Sequence, residues 1–446
     1  MRKIISFCLI ITFVCLSTAK AQPNFSLTDC INYGLKNNRT QLIMDNNIAI
    51  AKQKANQTLS GYLPQISTSF SLVDNIQLPI TTIPAGTFGP TQTTPKEVQF
   101  GSQYNTNASL DFGQVIYDQS KIYGIMTNKP LVALTELQKE QNKENTIYNI
   151  SVAYFQALIA KELQKSLLNN KEKYTELLKT LHTQQKLGVA LQKDIDRVTV
   201  AQNSTNYQIE DAVTKEQLAL NSLKYTIGMP LNESLSVNDS MDYLQFAGLH
   251  TTDKLVVSNL VETKLNEKQI EMQKLNLKAK RASWIPTVSL VGKYGNQALN
   301  NDFKNVFSNW NNYSYIGISI SKPLLSLKIQ SVGKEEKLKL QNDKENYKLN
   351  QENLKLRYEN AKTSSFSAYS SFKSAKDNMN FAKNLLDVTF FQYQKGVVSL
   401  TDYLNDDTAY KNAQSNYVGS LYNVMISELN FNKAQGTLLE FVNQIK

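Results

Sequence analysis

Two short stretches hold acids where chemistry could be done. "LGVALQKDIDRV" runs from Leu187 to Val198, and "KGVVSLTDYLND" from Lys395 to Asp406. Laid one above the other, Gly188 falls on Gly396, Val189 on Val397 and Asp194 on Asp402, a shift of 208 residues. Each reads as a turn between helices. Glycine suits the C′ position, where positive φ is needed. Thr401 or Asp402 can begin the next helix, because side-chain oxygens accept its free N–H groups and negative charge suits its N-terminal dipole. The same acids, gathered in a ring at the mouth of an assembly, would attract cations and resist anions. Both readings stand at this point.

Little else in the chain could react. His182 and His250 are the 2 histidines and have no partner at ligand spacing. There is no phosphate-cradling glycine loop, nucleophile elbow or Cys-x-x-Cys. An enzyme is not expected, nor a metal or cofactor, so any energy must come from a partner. The net charge is +10, but the lysines are interleaved with Glu and Asp along helical faces. That is a solvated helix surface, and no nucleic-acid motif competes with it.

The first 21 residues read as a secretory signal: Arg2 and Lys3, an apolar core from Ile4 to Leu16, and Ala19-Lys20-Ala21 as a small-x-small cleavage site. The apolar run is too short for a membrane anchor. Thr12-Phe13-Val14 before Cys15 does not form a lipobox. Without Arg2, Lys3 and Lys20 the charge becomes +7. Cys30 then remains alone, so no intrachain disulfide forms, and it reads as a small buried apolar residue. No later apolar run has the length of a spanning helix. A membrane would be entered as β-structure.

The elements that position the two turns are themselves duplicated. The shift of 208 also places Gly228 on Gly436 and "VIYD" (Val115 to Asp118) on "PLLS" (Pro323 to Ser326). Upstream, "GYLPQISTSFSL" resembles "SWIPTVSLVGKY", Pro64 on Pro286, with a shift of 222. Repeat one thus carries 14 extra residues between these markers, in the loop-like "LPITTIPAGTFGPTQTTP". Each repeat reads helix, strand, strand, long helix, turn, helix, an internal duplication. Repeat one spans 22–228, with strands near 62–73 and 105–116. Repeat two spans 254–436, with strands near 283–294 and 313–322. An inter-repeat segment, 229–253, and a tail, 437–446, complete the chain. In repeat one a first helix is expected from Leu27 to Leu59, and one long helix from the second strand to Gly188.

The long helix of repeat two carries Tyr347, Leu354, Ala361, Ala368, Ala375 and Ala382 every seven residues. Tyr358, Phe372, Met379, Leu386 and Tyr393 sit four residues after positions of that series. This is a coiled-coil seam with one narrow apolar stripe. The strands alternate instead. Ile66, Thr68, Phe70 and Leu72 oppose Gln65, Ser67, Ser69 and Ser71, and Ile316, Ile318 and Ile320 oppose Gly317, Ser319 and Ser321. A half-buried soluble sheet and a membrane barrel both give this pattern. The strand lengths suit a tilted bilayer crossing. Four strands cannot close, so several copies would have to pool theirs: a dimer, trimer or tetramer.

This plan resembles the TolC family of outer-membrane efflux channels over essentially the whole mature chain. The likeness rests on the duplicated order, "YLP"/"WIP", "VIYD"/"PLLS" and the two glycine-to-aspartate turns. The resemblance implies a mainly α fold with a transmembrane β-barrel portion. Four strands per chain would join a trimeric 12-stranded barrel, continuous with a long α-helical coiled-coil tunnel. It implies an exit duct in the outer membrane of a Gram-negative bacterium that reaches into the periplasm. Such a duct serves tripartite efflux or type I secretion as a homotrimer, with a periplasmic adaptor and an inner-membrane pump of the RND, ABC or MFS type. Pro64 and Pro286 would lead into barrel strands, and 229–253 with the tail would form a belt around the helices. By the same resemblance Asp402 matches a pore acid, Asp194 the acid of the first turn, and Tyr393 a tyrosine linking the closed tip. Two positions depart from the pattern. Val398 stands where a linking arginine would be, and Asn405 where a second pore acid would be. Asp406, one turn after Asp402, is the candidate substitute. The competing class is a secreted coiled-coil structural or adhesion protein without a pore.

Overall fold

The structure, a computed structural model, describes residues 24–87, 93–238 and 255–444. The secretory signal, most of the inter-repeat segment and His250 lie outside the described residues. In chain order the elements are β1 (Asn24–Phe25), α1 (Leu27–Asn37), α2 (Arg39–Ser60), β2 (Gln65–Asp74), β3 (Ile80–Ile83), β4 (Lys96–Gln99) and β5 (Tyr104–Tyr117). Then come α3 (Gln119–Met126), α4 (Asn128–Lys186), α5 (Gln192–Ile227), β6 (Ser236–Val237) and α6 (Val261–Ala282). Last are β7 (Thr287–Asn300), β8 (Trp310–Ser321), α7 (Leu327–Gln394), α8 (Leu400–Gln435) and α9 (Leu438–Gln444).

The duplication is visible in the backbone. Asp118 caps α3, accepting from the Ser120 and Lys121 amides at 3.0 and 3.1 Å. Its counterpart Ser326 accepts from the Ile329 amide at 3.2 Å at the start of α7. Gly188 and Gly396 have φ of 74° and 72°. In both turns the amide of the following valine reaches back to a glutamine carbonyl at 2.9 Å: Val189 to Gln184 and Val397 to Gln392. This is the hydrogen-bond pattern of a Schellman C-cap, written twice.

The chain divides into two compact units. Unit one takes 1–47, 136–265 and 347–446. One core in it buries Leu27, Cys30, Ile150, Tyr154, Leu223 and Leu429 together with Leu438 of α9. The start of the inter-repeat segment joins this core through Met229, Leu235 and Val237, and β6 pairs parallel with β1. Burial pushes the Cys30 thiol up to about 12. It packs as an apolar group and is no nucleophile.

The coiled-coil seam of α7 is real. Leu354, Tyr358, Ala361, Phe372 and Leu386 are buried. Tyr358 meets Phe431, and Phe372 meets Tyr417, at ring separations of 5.6 and 5.5 Å, so α7 and α8 run antiparallel. The stripe also has polar members that the apolar pattern did not reveal. Ser365 and Thr389 are buried on it. Ser365 donates to Glu428, and Thr389 to Asp406 at 2.6 Å.

Unit two takes 48–135 and 266–346. Its centre is a four-stranded sheet in the order β2-β5-β7-β8, every pair antiparallel. The first and third strands begin later than the sequence suggests, at Gln65 and Thr287. Pro64 and Pro286, which cannot donate to a ladder, stand just before them. The extra residues of repeat one are not all loop. Ile80-Thr81-Thr82-Ile83 is β-branched throughout and pairs with Lys96–Gln99 as a small hairpin.

Two helices expected to be continuous are broken. Asn38 interrupts the first: at ψ 122° it ends α1, and its side chain accepts from the Thr40 amide at 2.8 Å to cap α2. Thr127 interrupts the long helix of repeat one, and its amide turns back to Gly124. Pro130 causes this break, since it has no N–H for the Met126 carbonyl and its ring crowds that group. Asn38 is held by a close approach. A Cβ on Gly228 would lie 2.8 Å from the Asn37 carbonyl oxygen, and Gly228 also has φ 76°. At Gly188, by contrast, the space around a Cβ is open. Gly228→Ala is therefore expected to cost more than Gly188→Ala. The latter bears only the left-handed strain of about 1–3 kcal/mol. Thermal unfolding of both variants followed by circular dichroism checks the order.

Candidate functional site

The two turns lie in unit one, and the helices below them share a small core. Leu181, Ile195, Val198, Leu386, Leu400 and Tyr403 belong to it. This core fixes where the predicted residues stand. Asp402 is exposed, and its carboxylate accepts from the Ser399 amide at 3.1 Å and the Ser399 hydroxyl at 2.7 Å. Ser399 Oγ in turn accepts from the Asp402 amide at 3.2 Å. This is a complete capping box, with Ser399, rather than Thr401 or Asp402, as the N-cap.

Asp194 makes half of the same device. It accepts from the Leu191 amide at 3.4 Å, but Leu191 has no side-chain oxygen to return the bond. Asp194 also lies 3.9 Å from Arg197. Arg197 donates to Thr401 Oγ1 at 3.0 Å, tying the two turns together. Sequence reasoning overlooked this arginine because it sought one at position 398. Val398 lines the same hollow as Asp194, Arg197 and Tyr393.

Tyr393 stacks on Tyr403 with centroids 6.0 Å apart. Burial, and then the charge of Asp194, raise its hydroxyl above the usual tyrosine range. Asp194 and Tyr393 thus share a field, with no hydrogen bond between them among the described residues. Asp406 is tied to Thr389, and Asn405 is exposed. Val189 and Val397 project outward at 74% and 71% exposure, beside exposed Leu187 and Leu191.

A buried acid below the tip was missed. Asp407 is 4% exposed. Tyr174 donates to it, and Lys411 pairs with it at 3.0 Å while lying 4.1 Å from the Tyr174 ring centre. Burial and the negative Asp407 both push the Tyr174 hydroxyl upward, so it stays protonated as a donor. The signal was available, since Asp407 lies seven residues after Leu400 on the buried stripe of α8.

In unit two the sheet has two unlike faces. Register places Ile66 and Phe70 with Ala108, Leu110, Leu290, Ile316, Ile318 and Ile320 on one face. This face is open: Ile66 is 73% exposed, Ile316 76% and Ile320 69%. The other face is polar and internally bonded. Ser69 and Ser109 hydroxyls lie 2.8 Å apart, Gln297 donates to Asn105 at 2.9 Å, and Tyr313 to Asn107 at 2.9 Å. Among the described residues β2 and β8 each pair along one side only. No described helix is long and apolar enough to cross a membrane, and no described group of side chains could hold a metal ion.

Solved outer-membrane channels have this fold. CmeC from Campylobacter jejuni superposes with a TM-score of 0.72 at 17% identity, over 94% of this chain and 88% of its own. For CusC the values are 0.72 and 15%, over 92% and 91%. For VceC from Vibrio cholerae they are 0.70 and 15%, over 92% and 96%. No protein-family model matches the sequence, and no curated protein matches it.

The unequal caps give a test. Leu191→Ser supplies the missing acceptor and should stabilise the protein by about 1 kcal/mol, while Ser399→Ala should cost about the same. Paired denaturation midpoints measure both. A destabilising Leu191→Ser would show that the leucine is held by packing instead.

Proposed function

We propose that the chain is one third of an outer-membrane exit duct, a passive homotrimeric channel serving tripartite efflux or type I secretion in a Gram-negative bacterium. One observation carries this reading: a sheet with an open apolar face, a bonded polar face and two unpaired edges. In lipid each unpaired backbone group costs several kcal/mol, so the edges must find partners. The strand directions alternate, so β8 of one copy would lie antiparallel to β2 of the next. Three copies would close 12 strands, with the apolar faces toward lipid and the polar faces around water. The likeness in fold to CusC, CmeC and VceC favours three copies.

In this reading the narrow-seamed helices α4, α5, α7 and α8 assemble the periplasmic tunnel, and 229–253 with the tail forms its belt. The exposed Leu187, Val189, Leu191 and Val397 offer a periplasmic adaptor an apolar docking tip. An inner-membrane pump of the RND, ABC or MFS type supplies the energy. Three Asp402 carboxylates ring the mouth, with Asp406 and Asn405 one turn inward. Asp194, Tyr393 and the Arg197–Thr401 bond hold the tip closed.

Two experiments test the proposal. Ile316→Lys puts a charge on the lipid face and should cost about 2–4 kcal/mol per chain, removing heat-resistant trimers from the outer-membrane fraction. Ser319→Lys, on the wet face, should leave them in place. Equal behaviour of the two, or a water-soluble monomer, would favour a secreted coiled-coil protein. At the tip, Asp402→Asn keeps a cap acceptor but removes the charge. It should lower cation preference in planar bilayers, and Tyr393→Phe should raise open probability. Unchanged selectivity and closure in both would refute the gate.

A further inference from the structure

The polar face of the sheet is nearly free of charge. Of its residues on β2, β5, β7 and β8, only Asp111 and Lys293 are ionisable acids or bases at neutral pH. Asp74 lies on the other face, at the end of β2. Asp111 and Lys293 are direct cross-strand partners near the middle of β5 and β7, the seam where repeat one meets repeat two. Lys293 Nζ lies 3.0 Å from Asp111 Oδ1. Asp111 Oδ2 also accepts from Ser109 Oγ at 3.1 Å, and Ser109 Oγ is 2.8 Å from Ser69 Oγ. The remaining wall is Ser, Asn, Gln, Tyr, Gly, Thr287, Leu299 and a few valines. Both side chains keep access to water, at 24% and 38% exposure.

We infer that Asp111–Lys293 is a charge-balancing pair that makes the barrel wall indifferent to the sign of its cargo. The inference rests on the proposed barrel, because only pooled strands put this face around a lumen. Three copies would set three such pairs at one level, with no net charge. The field of a pair closed at 3.0 Å falls off far faster than that of a lone charge, and salt screens it further. Polar solutes of either sign, or of none, would then pass the barrel alike, and charge selection would belong to the helix tip. The pair is not needed as a register lock. An ion pair of this exposure contributes about 0–1 kcal/mol, whereas the β5–β7 ladder is held by partners along its whole length.

The test removes one partner at a time. Asp111→Asn leaves three unpaired lysines, and Lys293→Gln three unpaired carboxylates. In planar bilayers, hexamminecobalt(III) added to the side facing the strand-connecting loops should block Lys293→Gln at several-fold lower concentration than wild type. Asp111→Asn should resist that block, and its reversal potential in a salt gradient should shift toward anions. The doubly substituted channel and the swapped pair Asp111→Lys/Lys293→Asp should both behave as wild type. Conducting single variants with wild-type block and reversal potential would overturn the inference. So would single variants that fail to assemble while the swapped pair assembles, for then the pair acts as a register lock. A wild-type protein with no conductance would instead defeat the proposed channel.

Discussion

In lipid, backbone groups on a sheet edge must be paired, and four strands leave two edges. That constraint governs the rest of the molecule. β2 and β8 are both long enough to cross a bilayer, and their outward apolar faces make water a poor solvent for them. Among the described residues of unit two, the 303–308 segment packs on the loop end of this face, over Phe70 and Thr106, and leaves Ile66, Ile316, Ile318 and Ile320 open. The face carries Ile, Leu and Phe where a soluble sheet would be roofed by helices. In the proposed barrel, strands pooled from several copies would turn every edge into an interior ladder and join the apolar faces in one continuous band. The polar face needs no roof either, because its hydroxyls and amides bond one another across the strands.

Much of this was legible in the sequence, because two periodicities announce it. Alternation in the strands fixed which residues share a face, and the heptads of α7 fixed a narrow seam. The repeat offset marked the glycine turns. What stayed hidden has local causes. Asn38 breaks a helix because its side chain caps the next one, which composition does not advertise. Pro130 breaks another and could have been read, since a proline at the third position of a helix denies the preceding turn its bond. At the tip, sequence reasoning assigned Asp402 and Asp194 correctly to the starts of helices. It misplaced the N-cap, however, and looked for an arginine at position 398 when Arg197 serves the other turn.

The two turns show what duplication leaves behind. Their backbones remain alike down to the same reach-back hydrogen bond, since glycine takes the left-handed φ at Gly188 and Gly396 without strain. Their caps have diverged. Ser399 and Asp402 satisfy two orphan amides reciprocally, while Leu191 leaves Asp194 with one weak bond and freer to feel Arg197 and Tyr393. The first turn therefore trades helix-end stability for a carboxylate less committed to its own backbone.

The buried polar contacts of unit one serve a different need. A heptad seam of alanine and larger residues repeats every seven positions, so an antiparallel pair such as α7 and α8 could slip by one heptad and still match apolar to apolar. The carboxylates break that degeneracy. A slip of seven would bring Ser365 opposite Leu421 or Gln435 in place of Glu428, and Thr389 opposite Ser399 or Ala413 in place of Asp406. Tyr174 would face Leu400 or Gln414 in place of Asp407, with Lys411 still anchored beside that acid. Each slipped register leaves buried carboxylates short of donors, at roughly 1–3 kcal/mol or more apiece. Polar side chains at these positions weaken the seam relative to an all-apolar one, yet they make one register far better than its neighbours. A pair of helices this long depends on that single register, because an error of one heptad would move the tip residues about 10 Å along the axis.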